Sequence, residues 1–500
     1  MKSIQSLSVA SILFVTLNLT GCDDDDDNVV VVPTPVPLPS TPPELVVPTQ
    51  YEFASRGDAN ASSVSYSGQT IRHILINDLN SYINIGLQEA IDNNDFVAAT
   101  KENIIENFDF YFRFKTKGDS TVAIRTSTTP NSLQASYGDI STDKDLREKI
   151  AGNDEVGQTE DWSAGLIGWT TTEGSAVTPE GLVDIFFSEL ADNVLDAVGG
   201  TVRQDPLGNA ISSVYVSTNG RDLKQLIQKF LLGSVAFSQA ADDYLDNDVD
   251  GKGLLSDHTT LVEGKSYTAL EHQWDEGFGY YGAAINQAEY TDEEIASRGG
   301  RADFQGVNDT DGDGAINFLY EYNFGNSVNS AKRDLGSSDT ATTDFTKVIL
   351  EAFLTGRAII SHAESSLTEE QLADLVAQRN IVINNWEMVI VATIVHYIND
   401  SLQDIRKFGT PEESFADYAK HWSELKGFAL GLQFNPFMKL TKEEFAVIHD
   451  QIGTQPVLSN APQADRDAFV DNLLAARAKF AEVYAIDPSN VGDENGENGW

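Results

Sequence analysis

Apolar side chains recur every three to four residues over most of the chain beyond residue 50. Two clear examples are residues 71–90 and 97–112, in which apolar positions return once per helical turn. This spacing places the apolar side chains along one face of an α-helix. The alternation that is typical of strands is limited to residues 121–124 and 212–216. The pattern therefore predicts an all-α protein.

Several predicted helices begin at a side chain that can cap them. Thr178 precedes a proline, which is the favoured order of cap and first helical residue. Three more threonines are followed three residues later by Glu or Gln, the capping-box pattern, and these are Thr291, Thr368 and Thr441. Residues 367–407 are largely apolar in their middle and contain no proline, which predicts a long helix through the centre of the fold.

Long helical segments on both sides of a less regular stretch predict two packed helical bundles. We assign residues 51–295 to the first bundle region and residues 341–500 to the second. Residues 296–340, which include an Asp- and Gly-rich loop, form the predicted irregular connection between them.

The first fifty residues have a different character. Lys2 precedes an apolar stretch too short to span a membrane, and the chain then reads Leu-Thr-Gly-Cys up to Cys22. This order is typical of a bacterial lipoprotein, with residues 1–21 as signal peptide and Cys22 as the lipidated residue. An ordinary signal peptide with an incidental cysteine is the alternative. Residues 22–50 are acidic and then proline-rich, which predicts an extended tether. The expected location is the bacterial cell envelope, with the membrane as partner through the lipid.

Charge and cysteine content narrow the possible functions. The chain has 77 acidic and 33 basic residues, for a formal net charge of −44. Such a chain repels phosphate backbones, so we do not expect nucleic acid as a partner. Cys22 is the single cysteine, which excludes intramolecular disulfides and cysteine-rich zinc or iron–sulfur sites.

Histidines followed one helical turn later by a carboxylate are candidate metal ligands. They are His272 with Asp275 and Glu276, His396 with Asp400, and His421 with Glu424. Residues three or four apart share a helix face, so such a pair can offer two ligands to one ion. Imidazole and carboxylate without thiolate suit zinc, iron or manganese. The alternative is that these pairs are surface ion pairs or core histidines held by hydrogen bonds.

The surroundings of His272 and His421 are similar. Each is followed by Trp-x-Glu and then by Gly-Phe, one copy in each half of the chain. Glycine lets backbones approach closely, so we expect these two helices to meet between the bundles and to place His272, Asp275 and Glu276 there, with His421 and Glu424 as further ligands.

Two acidic loops resemble the calcium-binding loop of an EF-hand. The first has Asp309, Asp311 and Asp313, then a glycine and an isoleucine, with Glu321 one residue beyond the final ligand position. The second has acidic residues at the first, third, fifth and twelfth positions, which are Asp246, Asp248, Asp250 and Asp257. Both are candidate Ca²⁺ sites with a structural role. The alternative is that both are solvated turns.

The lipoprotein-like start, the tether, the helical body and the His-x-x-acid helix together resemble the imelysin-like proteins of bacterial envelopes. The sequence Leu-Glu-His-Gln-Trp-Asp at 270–275 is similar to the Gly-x-His-x-x-Glu motif of that family, with His272 at the motif histidine. Residues 51–75, 264–282 and 420–436 look more like a related family of bacterial lipoproteins of unknown function. The resemblance implies two helical bundles and an association with iron uptake.

The expected function is therefore that of a lipid-anchored envelope protein that binds a metal or assists iron uptake. Its expected partners are metal ions and other envelope uptake proteins, and its candidate cofactors are Ca²⁺ and iron or zinc. Two alternatives stay open. One is a metal-dependent, peptidase-like hydrolase with Glu276 or Glu424 as general base. The other is a calcium-ordered surface interaction protein without a transition-metal site.

Overall fold

Helices form the framework of the protein, as the spacing of its apolar residues predicts. The computed structural model describes residues 45–154, 156–158, 160–171, 174–296, 309–337 and 339–500. Within these residues, extended backbone pairs only at isolated bridges. The all-α prediction is confirmed. The predicted signal peptide, Cys22 and most of the tether lie outside the described residues.

The helices are, in chain order, α1 (Ser67–Ser81), α2 (Leu87–Asp92), α3 (Lys101–Phe112), α4 (Phe114–Lys117), α5 (Pro179–Val198), α6 (Leu223–Leu231), α7 (Ala269–Tyr281), α8 (Asp292–Ala296), α9 (Gly325–Leu335), α10 (Phe345–His362), α11 (Glu369–Arg406), α12 (Phe415–Gly431), α13 (Lys442–Ile452), α14 (Gln463–Tyr484) and α15 (Pro488–Val491). A π-helical turn, Tyr82–Gly86, joins α1 to α2. Two more, Leu232–Phe237 and Ala240–Tyr244, prolong α6.

The predicted capping side chains begin their helices. Thr178 accepts a hydrogen bond from the backbone N–H of Gly181 at the start of α5. Thr368 and Thr441 each form the reciprocal capping box, at the starts of α11 and α13. These side chains satisfy backbone donors that the first helical turn leaves free, so each start is encoded locally.

Helix α11 lies at the centre of the core. It is 38 residues long and packs against α9, α10, α12 and α14. Among the described residues it is the one helix long and apolar enough to cross a membrane, and 67% of its most apolar stretch is buried inside the protein. Because neighbouring helices cover this apolar surface, α11 has the character of a core helix.

The two predicted bundle regions share one hydrophobic core. Residues 45–500 form one compact unit, in which α6 packs against α12 and α7 against α10. Where α6 continues into its π-helical turn, the backbone of Gly233 nearly touches that of Gly431 at the end of α12. A Cβ atom on Gly233 would lie only 2.5 Å from the Gly431 Cα atom. The boundaries at residues 295 and 340 stay a prediction.

The predicted irregular connection contains a helix that the hydrophobic pattern does not reveal. Helix α9 lies within residues 296–340, and residues 297–308 lie outside the described part of the chain. The sequence of α9, GNSVNSAKRDL, has few apolar residues, so its periodicity is weak. It forms because a narrow face of small side chains, including Ser327, Ser330 and Ala331, packs on the helices around it.

Candidate functional site

Three carboxylates of the first predicted calcium loop come together ahead of α9. Oxygen atoms of Asp309, Asp311 and Asp313 all lie within 4.8 Å of one another. The turn depends on Gly312 and Gly314, whose φ angles of 71° and 86° lie in the left-handed region that favours glycine. The Gly314 N–H donates to Asp309 Oδ2 at 2.9 Å and closes the loop. Among the described residues, this is the one group of acidic and histidine side chains with such mutual spacing.

Buried Glu321 braces the two ends of this loop. Its Oε1 atom accepts hydrogen bonds from the backbone N–H and the hydroxyl of Thr310, both at 2.6 Å, and its Oε2 atom accepts from the Asn317 N–H at 2.7 Å. Glu321 therefore holds the loop in shape from outside the three-carboxylate cluster. Glu321 stands one residue beyond the last ligand position of an EF-hand loop, which agrees with this supporting role.

The loop is anchored on a neighbouring segment through its eighth residue, Ile316. The Ile316 N–H donates to the Asn131 carbonyl at 3.0 Å, and the Leu133 N–H donates to the Ile316 carbonyl at 2.8 Å. The Gln134 side chain bonds to residues 317 and 318. Asp309 Oδ1 is buried and accepts no hydrogen bond from the described residues. A carboxylate oxygen without a donor, beside two further carboxylates, suits coordination of a cation.

The acidic residues of the second predicted calcium loop are less well suited to an ion. Asp246 is buried, whereas Asp248 and Asp250 are exposed. Burial, followed by hydrogen bonding to Asp248, raises the pKa of Asp246 to about 9. Hydrogen bonds from Thr259 and Thr260 lower the pKa of Asp257 to about 2 and hold it in its own turn. Among the described residues, the mutual approach of carboxylate oxygens to within 4.8 Å is found in the Asp309 loop and not in the Asp246 loop, so the geometry favours the Asp309 loop.

Asp275, predicted to bind a transition metal from α7, is instead part of a buried ion pair. It has no exposed surface, and its Oδ1 atom accepts hydrogen bonds from Arg357 Nε and from the Tyr51 hydroxyl, both at 2.9 Å. The same guanidinium lies 3.1 Å from Glu271 Oε1. Arg357 supplies the positive charge that these carboxylates need, so Asp275 does not fit an ion shared with His272.

The other two predicted ligands on α7 do come close to each other. His272 Nε2 lies 3.7 Å from Glu276 Oε1, while the other ring nitrogen of His272 lies 3.0 Å from the Ser65 carbonyl oxygen. The His272 ring stacks on Tyr267 with 4.4 Å between ring centroids. Gln69 donates a hydrogen bond to Glu276 at 2.8 Å. Among the described residues, His272 and Glu276 offer two candidate ligands here, and metal binding stays a prediction.

His421 meets a different set of side chains from the one that its sequence suggests. Its Nδ1 atom lies 2.7 Å from Asp404 Oδ2, and its Nε2 atom lies 3.8 Å from Asp400 Oδ2. That Asp400 oxygen is also 3.4 Å from His396 Nε2. Glu424, the predicted companion of His421, lies 3.6 Å from the ammonium group of Lys229. The structure therefore pairs His421 with α11 residues.

Sequence reasoning missed Arg357 and Asp404, although each had a signal. Arg357 is a lone cation in the apolar stretch of α10, which is typical of a buried ion pair. Asp404 continues the four-residue spacing of His396 and Asp400 along α11, and the three share one face of the helix. The sequence does not reveal which side chains on other helices Arg357 and Asp404 contact.

The fold and these sites define an all-α protein with a cluster of three carboxylates in a loop on its helical core. A family model described as a domain of unknown function (DUF4856) matches residues 48–452, and the chain belongs to this family. No curated protein and no solved structure matches the chain. The family confirms the predicted relation to proteins of unknown function, and the similarity to imelysin-like proteins stays a prediction.

Proposed function

We propose that this chain is a lipid-anchored protein of the bacterial cell envelope whose helical body binds Ca²⁺ at the Asp309 loop. The observation that carries the calcium proposal is the mutual approach of the carboxylates of Asp309, Asp311 and Asp313 to within 4.8 Å. The lipid anchor and the envelope location rest on the sequence alone, through Cys22 and the residues on either side of it.

The proposed ion has a structural role. Calcium takes about six to eight oxygen ligands at about 2.3–2.6 Å, and flexible acidic loops supply them. Because Glu321 is used to brace the loop, the site has no carboxylate that binds through both oxygens at the final ligand position. We therefore expect a dissociation constant of roughly 10⁻⁴–10⁻³ M, which is typical of extracellular calcium modules.

Thermal unfolding of the purified protein with and without calcium tests this proposal. An ion that binds only the folded state at about 100 times its dissociation constant adds about 2.7 kcal/mol to the free energy of unfolding. The double variant Asp311→Asn, Asp313→Asn should lose this response, because it removes two ligand charges and keeps both glycines of the turn. Asp374→Asn, at an exposed position on α11, is the matched control and should respond like the wild type.

Two results would count against the calcium proposal. One is a wild-type melting temperature that is unchanged by calcium and by chelator. The other is an equal calcium response in the double variant, which would locate the ion elsewhere.

Iron uptake, which the imelysin-like resemblance implies, is the second candidate function. The observation that favours it is the approach of His272 to Glu276 on α7, with 29% of the His272 side chain exposed. Iron and zinc binding should then be lost in His272→Ala and kept in the control His362→Ala. Equal binding by both variants would contradict this assignment. The hydrolase alternative additionally requires peptide turnover by the zinc-loaded protein that disappears in Glu276→Gln.

A further inference from the structure

A cavity of about 740 Å³ lies between the first half of α10, residues 287–292 and residues 47–49. Its volume is within the range of about 300–1,000 Å³ that is typical of small-molecule sites. The Tyr51 N–H donates to the Ile285 carbonyl at 2.8 Å and so holds the segment that contains residues 47–49 next to the one that contains residues 287–292. The walls are therefore in place without a ligand.

Most of the wall of this cavity is apolar. Leu350 and Leu354, one helical turn apart on α10, line the cavity although each is almost fully buried, so they form its floor. Pro48 and Tyr290 add further apolar surface, and the Tyr290 ring is held in place because its hydroxyl donates to the Glu321 carbonyl at 3.4 Å. An apolar group that enters the cavity is thus removed from water, which favours binding in proportion to the area buried.

The charged side chains that line the cavity are mainly acidic. They are the carboxylates of Asp292, Asp344 and Glu351 and one ammonium group, that of Lys347. Lys347 lies 4.0 Å from Glu351 in an exposed ion pair, which offsets the charge of that carboxylate. Asp292 and Asp344 remain as the excess negative charge of the cavity, and this charge is complementary to a cation.

The surroundings of Asp292 make its negative charge costly. Burial, followed by the negative charge of Asp334 on α9, raises the pKa of Asp292 to about 6, although Thr346 donates a hydrogen bond to it. The two charged groups that act on it, Asp334 and Asp344, are both acidic, and Tyr281 of α7 is the titratable group that senses its charge from the helix behind. A cation beside Asp292 would relieve this repulsion, so the ionised carboxylate favours a positively charged ligand.

We propose that this cavity binds a small organic cation with an apolar body, of the alkylammonium class. The ammonium group lies beside Asp292 and Asp344, and the apolar body covers Leu350 and Leu354. A bare metal ion would gain nothing from the apolar wall, and an organic anion would be repelled by the carboxylates. The cavity contains none of the three carboxylates of the Asp309 loop, so this proposal and the calcium proposal can fail independently.

Calorimetric titration of the purified protein with n-octylammonium, below its micelle-forming concentration, tests this site. About 0.5 M sodium chloride suppresses the general attraction of cations to an acidic protein, because it shortens the screening length to a few ångströms. One octylammonium should bind per chain. Methylammonium, which has the charge without the apolar body, and octanoate, which has the body with the opposite charge, should each bind at least about tenfold more weakly, since a buried methylene adds up to about fourfold in affinity.

Two variants locate the bound cation. Asp292→Asn should weaken octylammonium binding by about tenfold, the effect of losing one charged partner. Ala288→Trp should block binding, because Ala288 lines the cavity at an exposed position where an indole can fill it. Asp374→Asn makes the same change of charge at an exposed position on α11 and should bind like the wild type.

Far-UV circular dichroism and the melting temperature check that each variant is folded. If Asp292→Asn does not fold, Ala288→Trp tests the site by filling the cavity without changing a charge. Three results would overturn the proposal. They are no octylammonium binding by the wild type, equal affinities for octylammonium and methylammonium, and unchanged octylammonium binding in the folded Asp292→Asn or Ala288→Trp variant.

Discussion

Arg357 explains why Asp275 lies in an ion pair and does not join His272 and Glu276 on α7. Its guanidinium is completely buried and contacts Asp275, Glu271 and the Ser63 hydroxyl. A buried carboxylate needs a compensating charge, and an arginine with several donors provides it as well as a metal ion would. These contacts also fix residues 51–65 against α7 and α10, because Tyr51 and Ser63 belong to that segment. Asp275 thus stabilises the fold.

Lys426 is a second buried ionisable side chain, and its titration predicts how the stability of the protein depends on pH. It has no exposed surface, and its Nζ atom lies 2.8 Å from His449 Nδ1. Burial lowers the pKa of Lys426 to about 7. Because the unfolded chain binds this proton more tightly, the free energy of unfolding should fall as the pH drops from about 10 to about 7, and this contribution should be constant below about pH 7.

The variant Lys426→Met measures that contribution. Urea denaturation at pH 7, 8, 9 and 10 should show a flatter pH dependence than in the wild type, by up to about 1.4 kcal/mol per pH unit. Lys442→Met, in which an exposed lysine is replaced, is the control and should run parallel to the wild type. Parallel curves for Lys426→Met as well would mean that Lys426 keeps its charge in the folded protein.

At the scale of helices, Glu387 links α11 to two neighbouring elements. It is fully buried, and it accepts hydrogen bonds from the Tyr484 hydroxyl at 2.5 Å and from the Lys439 N–H at 3.0 Å. Asn435 donates a third hydrogen bond. One carboxylate in the middle of the longest helix therefore holds both α14 and the segment that precedes α13.

Replacing Glu387 should loosen α14 more than the rest of the protein. Glu387→Leu leaves two buried donors, on Tyr484 and Asn435, without an acceptor, at a cost of about 1–3 kcal/mol each. Hydrogen exchange should therefore accelerate most in residues 463–484, with little change in α5. Glu370→Gln, at an exposed position in the first turn of α11, is the control. Uniform acceleration across all helices would show that α14 is not a separate unit of stability.

The helices differ in how far the sequence predicts them. Helices α5, α11 and α13 have strong local signals, since their caps and apolar faces are adjacent in the sequence. Helix α9 has neither a side-chain cap nor a broad apolar face, so its formation depends on the helices it packs against. The π-helical turns after α6 have no simple sequence signal of their own.

The candidate sites, too, are predicted only where the signal is local in the sequence. The Asp309 loop is contiguous in sequence, and its carboxylates come together as the spacing suggests. The helical His–carboxylate pairs are local too, but their partners come from distant segments, as with Arg357 for Asp275. Spacing along one helix predicts which side chains share a face, and only packing between helices decides what that face meets.

At the scale of the whole molecule, the dominant electrostatic feature is the formal net charge of −44. With 77 acidic and 33 basic residues, most of the acidic side chains have no basic side chain to pair with. Compacting so many like charges destabilises the folded state, while an exposed ion pair contributes only about 0–1 kcal/mol. Self-repulsion therefore outweighs the surface ion pairs, and any screening that reduces it favours folding.

Monovalent salt should thus stabilise this protein. Raising sodium chloride from 10 to 500 mM shortens the screening length from about 30 Å to a few ångströms, so the urea concentration at half-unfolding should rise. Chelator must be present throughout, because an ion bound at the proposed Asp309 site would add its own contribution to stability. Potassium chloride should have the same effect as sodium chloride, since screening depends on ionic strength. A midpoint that falls with salt would mean that attractive ion pairs outweigh the excess negative charge.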